Sequence, residues 1–283
     1  MGSIDLNQVK ALLFTPGTRP ERFAKAEATA ADGVIIDLED AVGPGDKDSA
    51  RSGVADWLRR RGAPSRKDFL VCLRVNSVYT RAGLRDLLAV AELTEAGHAP
   101  DVLMMPKVES AQEIELASRH LRGAVPLLCL IESAAGLEQA VAIAGAPSVR
   151  GLAFGGVDLA ADLRCTFAWE PLLAARSRVV QAAASRGLGV LDVPFLDIQD
   201  GAGLTAECAR AKAMGFNGKL AIHPGQVEAI AAAFTPTVEE VEFARGVLGA
   251  YEAAKGGVCT YRGKMIDEPV VASARQVLAR ARA

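Results

Sequence analysis

Residues 33–61 read GVIIDLEDAVGPGDKDSARSGVADWLRRR, and the fold class can be inferred from the pattern of this segment. Residues 34–37 form a short run of branched apolar side chains that ends in an acid, and a polar turn then leads into an amphipathic segment at 47–61. Because the apolar run does not alternate with polar residues, it predicts a strand that is buried on both faces. The stretch is therefore a strand–helix unit of the kind that builds parallel sheets.

The same unit recurs along the chain from residue 11 to about residue 232. The predicted strands are 11–14, 34–37, 69–75, 102–105, 126–131, 151–154, 189–193 and 218–222. The predicted helices are 20–31, 47–61, 83–96, 110–120, 134–144, 171–186, 201–214 and 224–232. This alternation predicts an α/β fold, a (β/α)8 TIM barrel. The rival is an open doubly wound sheet, but residues 15–22, TPGTRPER, lack the glycine-rich phosphate loop that usually follows its first strand.

The alternation of strand and helix patterns ends after Phe234, where Thr235-Pro236-Thr237 interrupts the helical pattern. We therefore divide the chain into a catalytic barrel, residues 1–234, and a C-terminal helical extension, residues 235–283. The extension is too short for an independent domain. It is expected to pack on the barrel or on a neighbouring subunit.

The composition excludes several classes of protein. The chain has 283 residues, with 32 Lys plus Arg and 34 Asp plus Glu, a formal net charge of −2. This balance lacks the basic surface that nucleic-acid or anionic-membrane binding usually needs. No apolar run approaches the roughly 20 residues of a membrane span, and the first residues carry no signal-peptide core. The five cysteines contain no C-x-x-C pair and are predicted to be buried free thiols of a cytoplasmic protein.

Ionisable residues follow the predicted strands at the ends where barrel enzymes carry their active sites. They are Arg19 after strand 1, Asp37, Glu39 and Asp40 after strand 2, Arg74 at strand 3, Lys107 at strand 4, Glu132 at strand 5, Asp158 at strand 6, Asp192 at strand 7 and His223 at strand 8. A cluster of carboxylates with few histidines suits Mg2+, or Mn2+, rather than zinc. Glu132 and Asp158, on adjacent strands, are the predicted metal ligands, with salt bridges or helix caps as the alternative.

The basic residues of this cluster can be interpreted as functional or as structural groups. Arg74 could bind a substrate carboxylate or a developing enolate oxygen, or it could pair structurally with Glu39 or Asp40. Lys107 could form a Schiff base or contact substrate, although a salt bridge is the simpler interpretation. His223 before Pro224 is more typical of a structural hydrogen-bonding histidine.

Several motifs resemble the citrate lyase beta-subunit-like branch of the HpcH/HpaI aldolase family, which includes malyl-CoA and citramalyl-CoA lyases. They are LLFTPGTRPERFAKA, GVIIDLEDAVGPGDKDSAR, LRVN, MMPKVES, IESAAGL, FGGVDLAADL, AIHPGQ and GKMIDEPVV, in order along nearly the whole chain. The sequence departs from the family pattern at Gly43 and Gly45 and at Arg164-Cys165, near loops that could set the substrate.

The resemblance implies a barrel, Mg2+-type catalysis and a homotrimer or hexamer. It implies that Glu132 and Asp158 hold the metal, that Arg74 binds the thioester or its enolate, and that Glu39 and Asp40 support metal waters and Arg74. It also implies that Asp267 is an acid/base group delivered by the tail to a neighbour's site; a helix-capping role for Asp267 is the alternative. Arg19 is the candidate for a phosphate contact with CoA.

The leading functional hypothesis is a Mg2+-dependent lyase that converts a 3-hydroxyacyl-CoA thioester to acetyl-CoA and a 2-oxo acid. The alternatives are a citrate lyase beta subunit acting on an acyl-carrier-protein thioester, a thioester hydrolase, and a non-catalytic assembly subunit. The last conflicts with the presence of Arg74, Glu132, Asp158 and Asp267 together.

Overall fold

The computed structural model describes residues 5–61, 66 and 68–281, and its centre is a closed barrel of eight parallel strands. The strands are β1 (Ala11–Pro16), β2 (Gly33–Asp37), β3 (Leu70–Arg74), β4 (Val102–Met105), β5 (Leu127–Ile131), β6 (Val149–Phe154), β7 (Gly189–Asp192) and β8 (Gly218–Ala221). β1 pairs with both β2 and β8, which closes the barrel. The predicted TIM barrel is therefore confirmed, and the open doubly wound sheet is excluded.

The strand register places two candidate site residues side by side. Asp37 ends β2 and is the register partner of Arg74, which ends β3. All the barrel strands run in parallel, so their carboxyl ends lie at one rim. Side chains that leave the strands at these ends are therefore gathered around one opening.

The helices around the barrel are α1 (Phe23–Glu27), α2 (Lys47–Arg60), α3 (Arg81–Glu95), α4 (Ala111–His120), α5 (Ala134–Glu138), α6 (Ala140–Ala144), α7 (Gly156–Asp162), α8 (Trp169–Ala184), α9 (Gly201–Met214) and α10 (Pro224–Phe234). Three features differ from the sequence prediction. The predicted helix at 20–31 is reduced to a 3-10 turn, Pro20–Arg22, followed by the short α1. The predicted helix at 134–144 is divided into α5 and α6, and α7 is an additional short helix directly after β6. Because α7 begins at Gly156, it carries Asp158 in its first turn at the rim.

Apolar side chains fill the barrel, and an N-terminal 3-10 turn closes its far end. The buried cluster includes Ile35, Met104 and Leu128, together with Leu6 of the turn Leu6–Gln8. The amide of Asn217 donates to the carbonyl of Leu6 at 2.9 Å and fixes the turn. Among the described residues, this turn therefore covers the end of the barrel opposite the rim where the strands end.

Asp192, at the end of β7, is part of a buried ion-pair layer and not of the site. Its carboxylate is 3.0 Å from Arg176 Nε and 2.7 Å from Lys219 Nζ, and Lys219 also contacts Glu207 at 2.7 Å. The preceding Leu191 belongs to the barrel interior, so the strand alternation turns Asp192 outward, toward the helices. The expectation that strand 7 contributes a carboxylate to the site is therefore wrong.

The chain divides into two compact units, Met1–Ala231 and Ala232–Ala283. The second unit contains α11 (Val238–Ala253), a hairpin of β9 (Cys259–Tyr261) and β10 (Lys264–Ile266), and α12 (Glu268–Arg280). Its own small core is formed by Ala244, Val247, Ile266, Val271 and Ala274. Within the described residues, no helix combines the length and the apolar character that crossing a bilayer requires.

Candidate active site

The Arg74 guanidinium lies at the rim and is held by Asp37 in a two-point contact. Arg74 Nε donates to Asp37 Oδ1 at 2.7 Å, and Nη2 donates to Oδ2 at 2.6 Å. The ring of Phe14 lies 4.9 Å from the guanidinium carbon, which adds a cation–π contact. Burial works against the charged form, but the hydrogen bonds and charge of Asp37 raise the pKa of Arg74 above its ordinary value. Arg74 is therefore a fixed, permanently charged group.

The loop after β2 adds two acids and is tied down by lysines. Lys107 Nζ lies 2.5 Å from Glu39 Oε1 and 3.4 Å from Asp40 Oδ1. Lys47 Nζ holds the loop itself by donating to the carbonyls of Leu38 at 2.9 Å and Glu39 at 2.6 Å. Burial raises the pKa of Glu39, although Arg74 and Lys107 act to lower it.

Glu132 follows β5 and is almost completely buried, with 3% of its surface exposed. Its Oε1 accepts the backbone N–H of Lys107 at 2.6 Å. Its Oε2 lies so close to Gly155 that a Cβ at that position would come within 2.7 Å of it. The glycine at 155 is therefore required by space, since any side chain would displace the carboxylate.

The electrostatics of Glu132 favour a cation in this place. Burial, followed by the charges of Glu39 and Asp158, raises the pKa of Glu132 to about 9. Such a carboxyl holds a proton at neutral pH unless a positive charge is bound beside it. A divalent cation between Glu132 and Asp158 would supply that charge, so the residues present fit Mg2+.

Asp158 stands on the first turn of α7 and is exposed. The far end of α7 is tied to the strand-5 loop, because Asp162 Oδ2 accepts the backbone N–H of Ala134 at 2.7 Å. This link holds α7 and the Glu132 loop together, and the two predicted metal ligands face one cavity. Within the described part of the chain, no group of three or more His, Cys, Asp or Glu residues is placed to hold a metal.

The cavity has a volume of about 430 Å³, and its lining combines charged and apolar side chains. The charged residues are Asp37, Asp40, Arg74, Glu132 and Asp158. The apolar lining consists of Phe14, Ala41, Leu130, Phe154, Val157, Val193, Pro194, Leu220 and Ile222, and Gly155 completes it. Charged groups and an apolar lining together can orient a small organic acid.

Comparison with protein-family models identifies the family to which a chain with this site belongs. Residues 10–224 match the family model described as HpcH/HpaI aldolase/citrate lyase. The chain belongs to the HpcH/HpaI aldolase/citrate lyase family. Residues 173–283 also match the model described as a C–C bond lyase of the TIM-barrel fold. The predicted family, fold and enzyme class, a carbon–carbon lyase, are confirmed.

The relatives extend over nearly the whole chain. It is 36% identical to the citrate lyase subunit beta of Escherichia coli K12, over 96% of this chain and 93% of the relative. It is 34% identical to the (3S)-malyl-CoA thioesterase of Cereibacter sphaeroides ATCC 17025, over 97% and 95%. A crystal structure of the protein CitE from Mycobacterium tuberculosis, in complex with magnesium, acetoacetate and coenzyme A, is 35% identical with a TM-score of 0.81, covering 98% of this chain and 100% of that chain.

Most of the sequence-predicted residues of this aldolase/citrate lyase family member meet at the rim. Arg74, Glu39, Asp40, Glu132 and Lys107 form one connected group, and Asp158 shares their cavity. Their catalytic and metal-binding roles stay predictions. Lys107 is in a salt bridge, as its simpler interpretation expected.

Arg19 lies outside this group. It is exposed and pairs with Glu21 at 2.7 Å. A neighbouring cavity of about 580 Å³ shares Phe14 and Ile222 with the first and is lined by other basic groups, Arg22, Lys25 and His223. Sequence reasoning missed Arg22 and Lys25. Their spacing in TPGTRPERFAK could have indicated a shared basic face, since they follow Arg19 by about one and two helical turns.

Asp267 lies in the second unit, where it is the N-cap residue of α12. Its Oδ1 accepts the backbone N–H of Val270 at a long 3.4 Å. The capping interpretation is therefore correct locally. The acid/base role of Asp267 stays a prediction.

Sequence reasoning also missed the role of Asp37 and the residues of the apolar lining. The sequence places Asp37 only among the ionisable residues after strand 2, yet its carboxylate accepts both hydrogen bonds of the Arg74 fork. The signal was present in the register, because equal positions at the ends of neighbouring parallel strands are adjacent. The residues of the apolar lining carry no comparable signal in the sequence, because apolar side chains are equally typical of the core.

Proposed function

We propose that the protein is a Mg2+-dependent lyase that cleaves or forms a 3-hydroxyacyl-CoA thioester such as malyl-CoA or citramalyl-CoA, with acetyl-CoA and a 2-oxo acid as products. One observation carries the proposal. The fixed Arg74 guanidinium and the Glu132–Asp158 carboxylate pair line the same cavity, together with the apolar lining. Magnesium and coenzyme A in the related CitE structure support the choice of cofactor and substrate.

Glu132 and Asp158 would hold the metal, and water and substrate oxygens would complete its coordination. When bound there, Mg2+ supplies Lewis acidity toward the substrate hydroxyl and the emerging 2-oxo carbonyl. Mn2+ is expected to substitute, because it accepts the same oxygen ligands.

Arg74 would stabilise the negative charge that cleavage creates. When the carbon–carbon bond breaks, the substrate hydroxyl gives its proton to water and its carbon becomes the carbonyl of the 2-oxo acid. The electron pair of the broken bond moves into the thioester and gives an enolate. A preorganised guanidinium beside the enolate oxygen lowers the barrier, since it needs no reorganisation during the reaction. Asp267 is the proposed acid that gives a proton to the enolate carbon, in the site of a neighbouring subunit of a homotrimer or hexamer.

The second cavity suits the anionic part of coenzyme A. Arg22, Lys25 and His223 lie beside the first cavity, on its β1 and β8 side. A pantetheine arm that leaves the reaction cavity past Phe14 and Ile222 would bring phosphate groups to these bases. This arrangement supports a CoA thioester over a carrier-protein thioester, whose phosphate is linked to a protein surface.

The apolar lining of the cavity argues against the alternative function, that of a citrate lyase beta subunit. Cleavage of a citryl thioester gives oxaloacetate, whose second carboxylate needs its own cation. Among the described residues that line the cavity, Arg74 is the single cation, and Asp37 already engages it. An uncharged substituent on the 2-oxo acid, as in pyruvate or glyoxylate, fits the apolar lining better.

A coupled assay of the purified protein tests the proposal. The substrates are malyl-CoA, citramalyl-CoA, methylmalyl-CoA and a citryl thioester, each with Mg2+ and with EDTA. We expect Mg2+-dependent release of acetyl-CoA, or its acyl homologue, together with a 2-oxo acid. Release of free CoA without a 2-oxo acid would indicate a thioesterase instead, and preference for the citryl thioester would favour citrate lyase. No cleavage of any thioester contradicts the proposal.

A further inference from the structure

Lys107 has a backbone conformation that side chains rarely adopt. It follows β4 through Pro106, and its φ of 52° lies in the left-handed region, where a Cβ is disfavoured. Such residues persist where the surrounding structure fixes them, often at functional sites. Here the conformation directs the backbone N–H onto Glu132 Oε1, at 2.6 Å.

The other end of the same residue restrains Glu39. The Lys107 ammonium lies 2.5 Å from Glu39 Oε1. Glu39 Oε2 is then 2.8 Å from Arg74 Nη1, yet this buried oxygen has no well-directed hydrogen bond from any described residue. A close but misaligned carboxylate leaves the N–H groups of Nη1 less engaged than those of Nε and Nη2, which Asp37 occupies.

We propose that Lys107 is a positioning residue with two separable tasks. Its ammonium holds Glu39 in the misaligned position, so that Nη1 of Arg74 stays available to a substrate oxygen. Its backbone N–H holds Glu132 for the metal. The use of Nη1 by substrate rests on the proposed function, whereas the two restraints rest on the geometry alone.

Without the ammonium, Glu39 has a clear alternative partner. A buried carboxylate aligns with the best charged donor in reach, and that donor is Arg74. Glu39 would then close the one side of the guanidinium that Asp37 leaves open. The metal ligand would be unaffected, because its hydrogen bond comes from the backbone.

The variants Lys107→Met and Lys107→Gly separate these tasks. Both remove the ammonium and keep the N–H, and glycine also accepts the positive φ, so it guards against misfolding of the methionine variant. Arg122→Gly is the matched control, since Arg122 is also a cation at a φ of 52° but pairs with Glu95 on the surface. Melting curves check the fold of each.

We expect both Lys107 variants to lose about 10- to 100-fold in turnover, as for other groups that orient a ligand. Their Mn2+ affinity, measured by titration calorimetry, should equal or exceed that of the unaltered protein, because a nearby positive charge is gone. Arg122→Gly should change neither quantity. Normal turnover in the Lys107 variants, or a loss of Mn2+ affinity as large as in Glu132→Gln, overturns the proposal.

A double-mutant cycle with Glu39→Gln tests whether Lys107 acts through the charge of Glu39. It is measured in turnover and in the affinity for pyruvate with Mn2+. Lys107→Met should cost little in the Glu39→Gln background, whereas additive costs in both measurements overturn the proposal. If the unaltered protein cleaves no thioester, the proposed function fails, but the pyruvate and Mn2+ measurements still decide the role of Lys107.

Discussion

At the scale of single residues, the site depends on carboxylates and cations that the fold holds in fixed positions. Arg74 cannot turn because Asp37 occupies its Nε and Nη2, and Glu132 cannot turn because Lys107 and Gly155 confine its two oxygens. Preorganised groups of this kind lose little entropy when a ligand arrives. Changing one of them should therefore affect function far more than stability.

The first prediction concerns the metal ligand Glu132. Glu132→Gln keeps the shape and removes the charge that a divalent cation needs, so Mn2+ binding and Mg2+-stimulated cleavage should be lost. The melting temperature in EDTA should stay equal or rise, because burying this carboxylate is costly. Calorimetric titration and melting curves measure the two effects.

Glu138→Gln is the control for this change, because Glu138 lies on the next helix and forms an exposed pair with Arg178. It should bind Mn2+ normally. Full activity in EDTA, or normal Mn2+ binding by Glu132→Gln, would show that the metal assignment is wrong.

The second prediction concerns the shape of the Arg74 group. Lysine keeps the charge in Arg74→Lys, but it cannot contact both oxygens of Asp37 and a substrate oxygen together. We expect kcat to fall by ~100-fold or more, the usual cost of losing an aligned donor to a developing oxyanion. Steady-state kinetics measure it. Arg178→Lys changes a similar two-point contact, to Glu138 on the surface, and should leave kcat unchanged.

The sequence could predict these residues because the barrel rule states where strand ends meet. It placed Arg74, Glu132 and Asp158 at one rim from the order of apolar runs alone. It could not predict the outward turn of Asp192 or the left-handed backbone of Lys107. Both depend on small choices of side-chain direction and backbone angle, which neighbouring residues decide in three dimensions.

At the scale of helices and strands, the regular elements were predictable and the short ones were not. The strands of the barrel stand out as apolar runs, whereas α7 has only seven residues and follows β6 almost without a break. The hairpin of β9 and β10 was also missed. Its turn uses Arg262 and Gly263, both with positive φ, where Asn-Gly is the usual sequence signal.

The third prediction concerns the reactivity of the cysteine thiols. All five are free; Cys72, Cys129 and Cys208 are buried, whereas Cys165 and Cys259 are half-buried, so the expectation of five buried thiols is wrong for these two. Burial raises the pKa of Cys208 to about 11 and raises those of Cys72 and Cys129 further. A thiol reagent at pH 8 should therefore modify two cysteines in the native protein and five after unfolding.

Peptide mapping by mass spectrometry identifies the modified positions. Cys165→Ser and Cys259→Ser should each remove one fast-reacting thiol and leave the slow ones unchanged. Rapid modification of Cys72 or Cys129 in the native protein would contradict the burial of the strands that carry them.

At the scale of the whole molecule, the second unit raises the question of what the tail does. The barrel is already closed by its own eight strands, and side chains between residues 243 and 278 build a separate small core. The Thr-Pro-Thr interruption predicts a boundary after Phe234, whereas the two compact units divide between Ala231 and Ala232. A chain's own sequence carries no signal for the copy on which its tail packs, so the acid/base role of Asp267 stays a prediction.

The fourth prediction is that Asp267 acts in the site of an adjacent subunit. Asn caps a helix about as well as Asp, so Asp267→Asn keeps the cap of α12 and removes the acid. If Asp267 is only a cap, this variant should keep its turnover and its melting temperature. If it is the proton donor, turnover should fall strongly while the melting temperature is kept.

Mixing two inactive variants then decides between a site within one chain and a site shared by two. Asp267→Asn protein is combined in equal amounts with Glu132→Gln protein, dissociated and reassembled. In a closed oligomer with random assembly, about one quarter of shared sites receive an intact barrel and an intact neighbouring tail, so activity should return to about that fraction. Each variant, dissociated and reassembled alone, gives the background. A site completed by its own tail never combines the two intact residues, so mixing would restore nothing.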